Sequence, residues 1–269
     1  PVPKPTGIAQ GYLRPAEGIE QIGTGPGVSR GGIEWQGTLY RILGTKLCSV
    51  SKAGAVTVLG DVGGTGPCTL TYGFDRLAIA SGGKLYYWNG TTLTQVTDPD
   101  LGTVLDVQWI GGYFMTTDGV NIVVTELNDP MSVNPLKYGS AESAPDDIKA
   151  VDKLRNEAYV FGRLTIEVMQ NVGGNFFPFA SVSGAQIAKG AIGTHMYCAL
   201  GNTFAFTGSG DGEAPAVYKV VPGDVDKIST REIDEILLTY SEDVLAGCEM
   251  ECRVNKSHQW VMIHLPDRC

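Results

Sequence analysis

The stretch 75–96, DRLAIASGGKLYYWNGTTLTQV, limits what this chain can fold into more than any other. Three short apolar runs, LAIAS, KLYYW and TLTQV, are parted by Gly82-Gly83 and by Asn89-Gly90. Such pairs reach positive φ at little cost and make tight hairpin turns, so the stretch reads as an antiparallel meander. The same order stands upstream in TLYRILGTKLCSVSKAGAVTVL (38–59), with breaks at Gly44-Thr45 and Ala53-Gly54. Further copies run through 113–127, 157–172 and 203–221, with the turn lengthening along the series. Self-similarity at about 40 residues, four strands to a copy, is how a propeller blade looks in sequence.

The expected fold is therefore all-β: a β-propeller of four-stranded antiparallel blades, about five complete and part of a sixth. A content of 36 glycines in 269 residues, near twice the usual share, fits the many turns. LAIAS, AYVFG, FAFTG and VMIHL are apolar at both parities, so each should be covered on both faces, as radially stacked blades are. The same stacking is the expected place for the aromatics, Trp35, Trp88, Trp109 and Trp260 included. One short helix is expected near 230–240, where Ser229 and Glu232 have capping-box spacing and Ile233, Ile236, Leu237 and Tyr240 share a helical face.

Two domains follow from this reading: an extended, proline-rich N-terminal arm over 1–26 and the propeller over 27–269. The sixth copy has only two strands before HLPDRC, so the propeller is expected to be incomplete at its C-terminus, with VMIHL poorly covered on one side. The opening PVPKPTG has neither an initiator Met nor an apolar h-region, so it reads as a trimmed or internal start and not as a signal peptide. No run of eighteen apolar residues is present, and no membrane anchor is expected.

Charge and reactive side chains bound the chemistry. With 20 basic against 29 acidic residues, net −9, the surface as a whole should repel polyphosphate. The six cysteines lack C-x-x-C spacing; Cys48 and Cys198 read as buried thiols, while Cys248 and Cys252 stand close enough in sequence to pair. A reducing place of synthesis fits them best. His258 and His264 share a strand parity but have no carboxylate in the same pattern, which makes a poor metal site. GDVGGTGPCT (60–69) departs from phosphate-loop spacing and reads as a turn between blades. Asp211 and Glu213 are too few for a calcium loop. No nucleophile-elbow pattern and no sialidase Asp box is present, so neither an enzyme nor a cofactor is expected. The polar interval 128–147 reads as an insertion on a rim, where partners are met. Candidate partner-binding residues are Asp129, Met131, Asn134, Lys137 and Tyr138 there, and Asp211 and Glu213 in the 208–215 turn.

Six segments, GYLRPAEGI (11–19), GVSRGGIEW (27–35), LYRILGTKL (39–47), GDVGGTG (60–66), ELNDPMSVNPLKYGSAESAPDDI (126–148) and VMIHLP (261–266), stand in an order that resembles the packaged-DNA stabilisation proteins of short-tailed bacteriophages. The likeness includes Tyr138, Ala141, Glu142, Ser143, Pro145 and Asp146. It implies a non-enzymatic structural virion protein of the tail hub, or nozzle, in which six copies form a ring that keeps packaged DNA in the capsid. The implied partners are further copies of the chain, the head-to-tail adaptor, the tailspike and the tail needle. DNA would pass through without sequence-specific binding, and the protein would be made in the host cytoplasm and end in the virion. A glycan-binding or glycan-cleaving propeller of a phage tail or bacterial surface is the alternative, requiring aromatic platforms and paired carboxylates about 5 to 10 Å apart. One expectation follows from the charge balance together with the conduit role that the resemblance implies: at physiological salt the chain should not retain random duplex DNA in a gel shift. Retention at micromolar concentration would reveal a basic stripe that the net charge hides.

Overall fold

A computed structural model describes residues 2–3, 11–12, 20–73, 75–127, 129–140, 146–174, 176–255 and 258–267. In the arm, β1 (Val2–Pro3) pairs with β2 (Gly11–Tyr12). Four sheets of four antiparallel strands follow, each in sequence order. The first holds β3 (Ser29–Trp35), β4 (Thr38–Leu43), β5 (Lys46–Val50) and β6 (Val56–Asp61). The second holds β7 (Thr69–Tyr72), β8 (Leu77–Ser81), β9 (Lys84–Trp88) and β10 (Leu93–Gln95). The third holds β11 (Asp106–Ile110), β12 (Tyr113–Thr117), β13 (Ile122–Glu126) and β14 (Asp129–Gly139). The fourth holds β15 (Ile148–Leu154), β16 (Glu157–Gly162), β17 (Ile166–Asn171) and β18 (Phe179–Ser181).

In the fifth sheet β19 (Gly190–Ala191) and β20 (Tyr197–Leu200) pair with successive parts of β21 (Thr203–Ser209), so they are two halves of one interrupted strand. β22 (Ala216–Val221) and β23 (Asp224–Lys227) complete it. After α1 (Arg231–Leu237) and α2 (Glu242–Ala246), β24 (Glu249–Asn255) and β25 (His258–His264) form a hairpin. First strands of neighbouring blades lie side by side, β3 with β7, β7 with β11, β11 with β15 and β20 with β24. The first strand of each blade is thus its inner edge and the last its outer edge, as in a propeller.

Strand alternation explains the stacking. Leu77, Ile79, Tyr86 and Trp88 point from the second blade into a layer shared with Trp35, Ile42 and Leu47 of the first. Their neighbours Ala78, Ala80, Leu85 and Tyr87 point the other way, into a layer shared with Val107, Phe114 and Val123 of the third. Equivalent layers join the third blade to the fourth and the fourth to the fifth. All five residues of β8 and all five of β12 are consequently buried. A sheet covered on both sides needs continuous apolar runs, which is why these strands lack polar alternation.

The last layer differs from expectation in three ways. VMIHL is poorly covered on one side, as expected of an unfinished sixth copy, and not covered on both faces as its apolar run suggested: Val261 and Ile263 pack towards the fifth blade, whereas Trp260 is 55% exposed on the opposite side. Trp260 therefore does not pack between blades, and Trp109 is only half-buried. The helix is real, but its N-cap is Thr230, and Ser229 instead receives the Val217 N–H (3.0 Å) and donates to Asp234 (2.6 Å). With the start moved, Leu237 is buried and Ile233 is exposed. A second, five-residue helix, α2, was not foreseen; Arg163 ties it to the fourth blade through both oxygens of Glu242, at 2.5 and 3.0 Å. Cys48, Cys198 and Cys248 are buried thiols, and neither Cys248 nor Cys252 is in a disulfide.

Arg30 fastens the first blade to the second. This guanidinium is 5% exposed, and it donates to the carbonyls of Gly66 (2.5 Å), Gly44 (2.9 Å) and Gly63 (2.7 Å) and to Ser81 Oγ (2.9 Å). The 60–69 segment is thereby a turn between blades, as expected. Its Gly64 has φ 73°, and a Cβ there would lie 2.8 Å from Arg30 Nη2 and 2.9 Å from the Gly82 nitrogen. Arg30→Met should cost about 3 kcal/mol, because three part-buried carbonyls and Ser81 lose their donors together. Arg30→Lys should not restore it, since one ammonium cannot span the fork's partners. Gly64→Ala should cost more than about 1 kcal/mol. Urea midpoints of the three variants decide this; wild-type midpoints would remove Arg30 from the account of the fold.

Candidate functional site

The interval read as a rim loop is a strand. Asp129–Gly139 forms β14, the outer edge of the third blade, so the third repeat extends twelve residues past Leu127 to Gly139. Between the pairs Val123–Tyr138 and Thr125–Val133, β13 advances two residues while β14 advances five. The surplus is a bulge around Pro135, where Asn134 Oδ1 accepts the Leu136 N–H at 3.0 Å. Proline cannot donate to a ladder and is admitted at edges and bulges, so a proline-rich polar run can still be an outer strand.

This strand sorts the candidate residues. Met131 packs against the core between the second and third blades, and the neighbouring Val133 is buried, its N–H bonded to Asp98 Oδ2 at 2.9 Å. Lys137 also turns inward, 9% exposed, with Nζ 2.6 Å from Glu126 and 6.0 Å from the centre of the Tyr113 ring. Asp129 and Tyr138 face solvent, and Asn134 is spent on the bulge. Asp211 is exposed at the tip of the β21–β22 turn, two blades away. On the same turn Glu213 pairs with Lys189, whose hydrogen bond holds its carboxyl below the usual range. Ala141–Pro145, part of the same interval, lie outside the described residues.

Outward-facing residues of β14 meet the chain before β18 in a groove of about 550 Å³, where apolar side chains share the lining with Ser140 and Ser181. Leu136, Tyr138, Met169, Phe176, Phe177 and Phe179 line it. Leu136, Tyr138 and Phe176 are 59, 59 and 60% exposed, an unusual concentration of apolar surface. Phe177 can lie across β14 because residue 139 is glycine; a Cβ there would fall within the ring's contact distance. Sequence reading missed Phe176 and Phe177. The signal available was FFPF (176–179), an aromatic cluster at a proline where a strand should have been turning.

A second concentration of function-bearing side chains lies on the inner strands. Asp106 of β11 is fully buried; its Oδ1 accepts the Val107 N–H (3.0 Å) and its Oδ2 the Val151 N–H (2.8 Å) of the next blade. Gln108 receives Thr71 Oγ1 of the second blade at 2.6 Å and donates to Asp152 of the fourth. Burial, with the nearby Asp106 and Asp152 charges, raises the Tyr197 hydroxyl of the fifth blade well above its ordinary value. Burial pushes the Asp106 carboxyl up to about 7 and that of Asp152 up to about 6. Asp106 is enclosed between blades and Asp152 is half-buried, so the two do not form the open, aromatic-lined cleft a glycosidase needs. A further groove of about 730 Å³ over the turns of the fourth and fifth blades carries Glu157, Tyr159, Arg155 and Lys219. Its described lining holds one carboxylate, not a pair.

The histidines have packing and surface roles. Burial pushes His195 down to about 4, and its carbonyl accepts the Met250 N–H at 2.9 Å. His264 does have a carboxylate partner, contrary to the sequence reading, with Nε2 3.3 Å from Glu251 across the β24–β25 hairpin.

A family described as "Bacteriophage P22 Gp10, beta-propeller" matches residues 1–269 in full. The chain belongs to this family. It is 30% identical, over 291 residues, to the tail hub protein gp10 of Salmonella phage P22, an alignment covering 98% of this chain and 59% of that protein. The chain thus spans about three fifths of the length of this curated relative. Solved structures extend the likeness in fold alone. Virginiamycin B lyase from Staphylococcus aureus superposes with a TM-score of 0.53 at 8% identity, covering 84% of this chain and 73% of the lyase. The extracellular domain of a putative hybrid two-component system from B. thetaiotaomicron gives 0.53 at 10% identity, covering 87% of this chain and 31% of that one.

β14 is a blade strand, and mutagenesis should show it. Removing 131–140 would strip a blade of its outer strand and is expected to unfold the third blade. Val133→Asp should cost about 3 kcal/mol by burying a charge where β14 meets the core. Leu136→Ser and Tyr138→Ser should stay within about 0.5 kcal/mol of wild type in urea unfolding. A large loss from the serine variants would make the groove part of the core.

Proposed function

We propose that this chain is the propeller of a phage tail hub: a structural, non-enzymatic virion component that docks neighbouring tail proteins and helps retain packaged DNA. The observation that carries this reading is the 30% identity to a tail hub protein along 98% of the chain. Mechanism here is geometry. Stacked blades give a stiff body, and the groove of Leu136, Tyr138 and Phe176 offers an apolar anchor site on its outer edge. Asp129 belongs to the polar margin of that surface, and Asp211 with Glu213 to a separate docking point on the fifth blade. Net −9 suits a component placed near DNA without gripping it, because each phosphate contact would add salt-dependent affinity. The proposed assembly is a sixfold ring beneath the head-to-tail adaptor, in contact with tailspike and needle, formed after synthesis in the host cytoplasm.

Negative-stain microscopy of the chain mixed with the adaptor tests the assembly. Rings on the adaptor are expected; a glycan-array signal without rings would favour the glycan-binding alternative. The triple variant Leu136→Ser, Tyr138→Ser, Phe176→Ser should fold normally, form fewer complete tails and lose at least about tenfold in affinity for one tail partner, as expected when a few apolar anchors dominate an interface. Normal assembly by this variant would exclude the groove as a docking site.

A further inference from the structure

Beneath the groove between β14 and β18 lies a carboxylate with half of its bonding unmet. Glu167 of β17 is 4% exposed, and its Oε2 receives no hydrogen bond among the described residues. Its Oε1 accepts from the Ser181 hydroxyl. Among the described residues no lysine, arginine or histidine forms an ion pair with it. Buried acceptors are ordinarily filled and buried charges ordinarily paired, because nothing else repays the water they have lost.

Strand geometry joins this carboxylate to the groove. Glu167 and Met169 stand two apart on β17 and therefore point to the same face of the blade, and Met169 lines the groove. Ser181 pairs opposite Met169, is exposed, and lines the groove as well. A hydroxyl that donates to a carboxylate keeps its lone pairs as acceptors. Ser181 thus connects the buried anion to the open surface. No charged side chain stands in the rest of the lining, where Tyr138, Phe176, Phe177 and Phe179 supply four aromatic rings.

Aromatic faces attract a cation, and an unpaired carboxylate behind them attracts it further. An acidic or neutral segment gains from neither. A surface of net −9 also draws basic segments towards it. We propose that this groove is a receptor for one basic side chain, lysine or arginine, carried on an apolar segment of a neighbouring tail protein. The stem of that side chain lies against Leu136 and Phe176, while its nitrogen donates to Ser181 and compensates Glu167. This inference rests on the docking role proposed for the groove and adds the chemistry of what docks there.

The test titrates the 269-residue chain with three capped peptides, acetyl-Leu-Arg-Leu-amide and its counterparts with Gln or Glu at the centre, following the groove's aromatic resonances by NMR. The arginine peptide should bind at least about tenfold tighter than the glutamine peptide, and the glutamate peptide should bind weakest. Glu167→Gln keeps an oxygen for the Ser181 hydroxyl but removes the charge, so it should abolish the preference. Its urea midpoint should be no lower than that of wild type, because the carboxylate it removes is buried and unpaired. A purely structural Glu167 would give the reverse: a lower midpoint and an unchanged preference. Equal binding of the three peptides by wild type, no binding of any of them, or a preference that survives in Glu167→Gln would overturn the proposal. Self-association of the chain through this groove would assign it to a second copy and overturn the proposal equally. The wild-type comparison does not depend on how the variant folds. The docking role is tested apart from it: if the triple serine variant impairs tail assembly while the peptides show no preference for charge, docking stands and the basic side chain is excluded.

Discussion

Stacking sheets face to face leaves the inner ends of the blades as the place where polar backbone must meet, and one buried cation manages the first of these junctions. Among the described residues Arg30 has no carboxylate partner; its charge is spread over three carbonyls and a hydroxyl from the first two blades and the turn joining them. A cation so buried is tolerable only when its donors are filled, and the planar fork fills them in a fixed geometry. The turn must then bring its carbonyls inward, which explains Gly63 and Gly64 at φ 60° and 73°. Related fastening recurs at the fifth blade, where Arg163 reaches Ser209 Oγ at 3.0 Å while gripping Glu242 of α2. Ser81 and Ser209 both end the second strand of their blade, so the chain uses that position twice to receive an arginine.

Repeats and turns were legible because they depend on local chemistry. Gly82-Gly83 and Asn89-Gly90 announce two hairpins, and the two-sided apolar run of β8 announces a strand buried between layers. What sequence hid is what topology brings together. Asp106, Gln108 and Asp152 lie on inner strands of two blades, and nothing in their local patterns says that they bond across the seam. Arg30 was visible only as one letter of GVSRGGIEW. β14 was misread for a different reason: its prolines and polar residues are ordinary in loops, but its inward Met131, Val133 and Lys137 satisfy a core that only the neighbouring blades define. Trp260 failed in the opposite sense, since an aromatic in an apolar run packs between blades only where a blade covers it.

The junctions between blades are closed by different means. Arg30 needs only neutral acceptors, and its fork supplies the first junction with donors. Between the third and fourth blades the fully buried Asp106 plays the reverse part, accepting the Val107 N–H of its own blade and the Val151 N–H of the next. The exposed β14 groove lies at the outer edge of that same seam between third and fourth blades.

The outer edge itself determines how a partner can bind there. An unprotected edge strand invites another strand to add by backbone pairing, with little regard to side chains. β14 refuses that mode: Pro130 and Pro135 remove two amide donors, and the bulge from Val133 to Tyr138 breaks the spacing a partner strand would need. The same bulge throws Leu136 outward, and Gly139 lets Phe177 fold across the strand. The features that prevent indiscriminate strand addition therefore also create the apolar groove. A partner at this edge must be recognised by side chains fitting between Leu136, Tyr138 and Phe176, a specific mode that suits a component meeting its neighbours during ordered assembly.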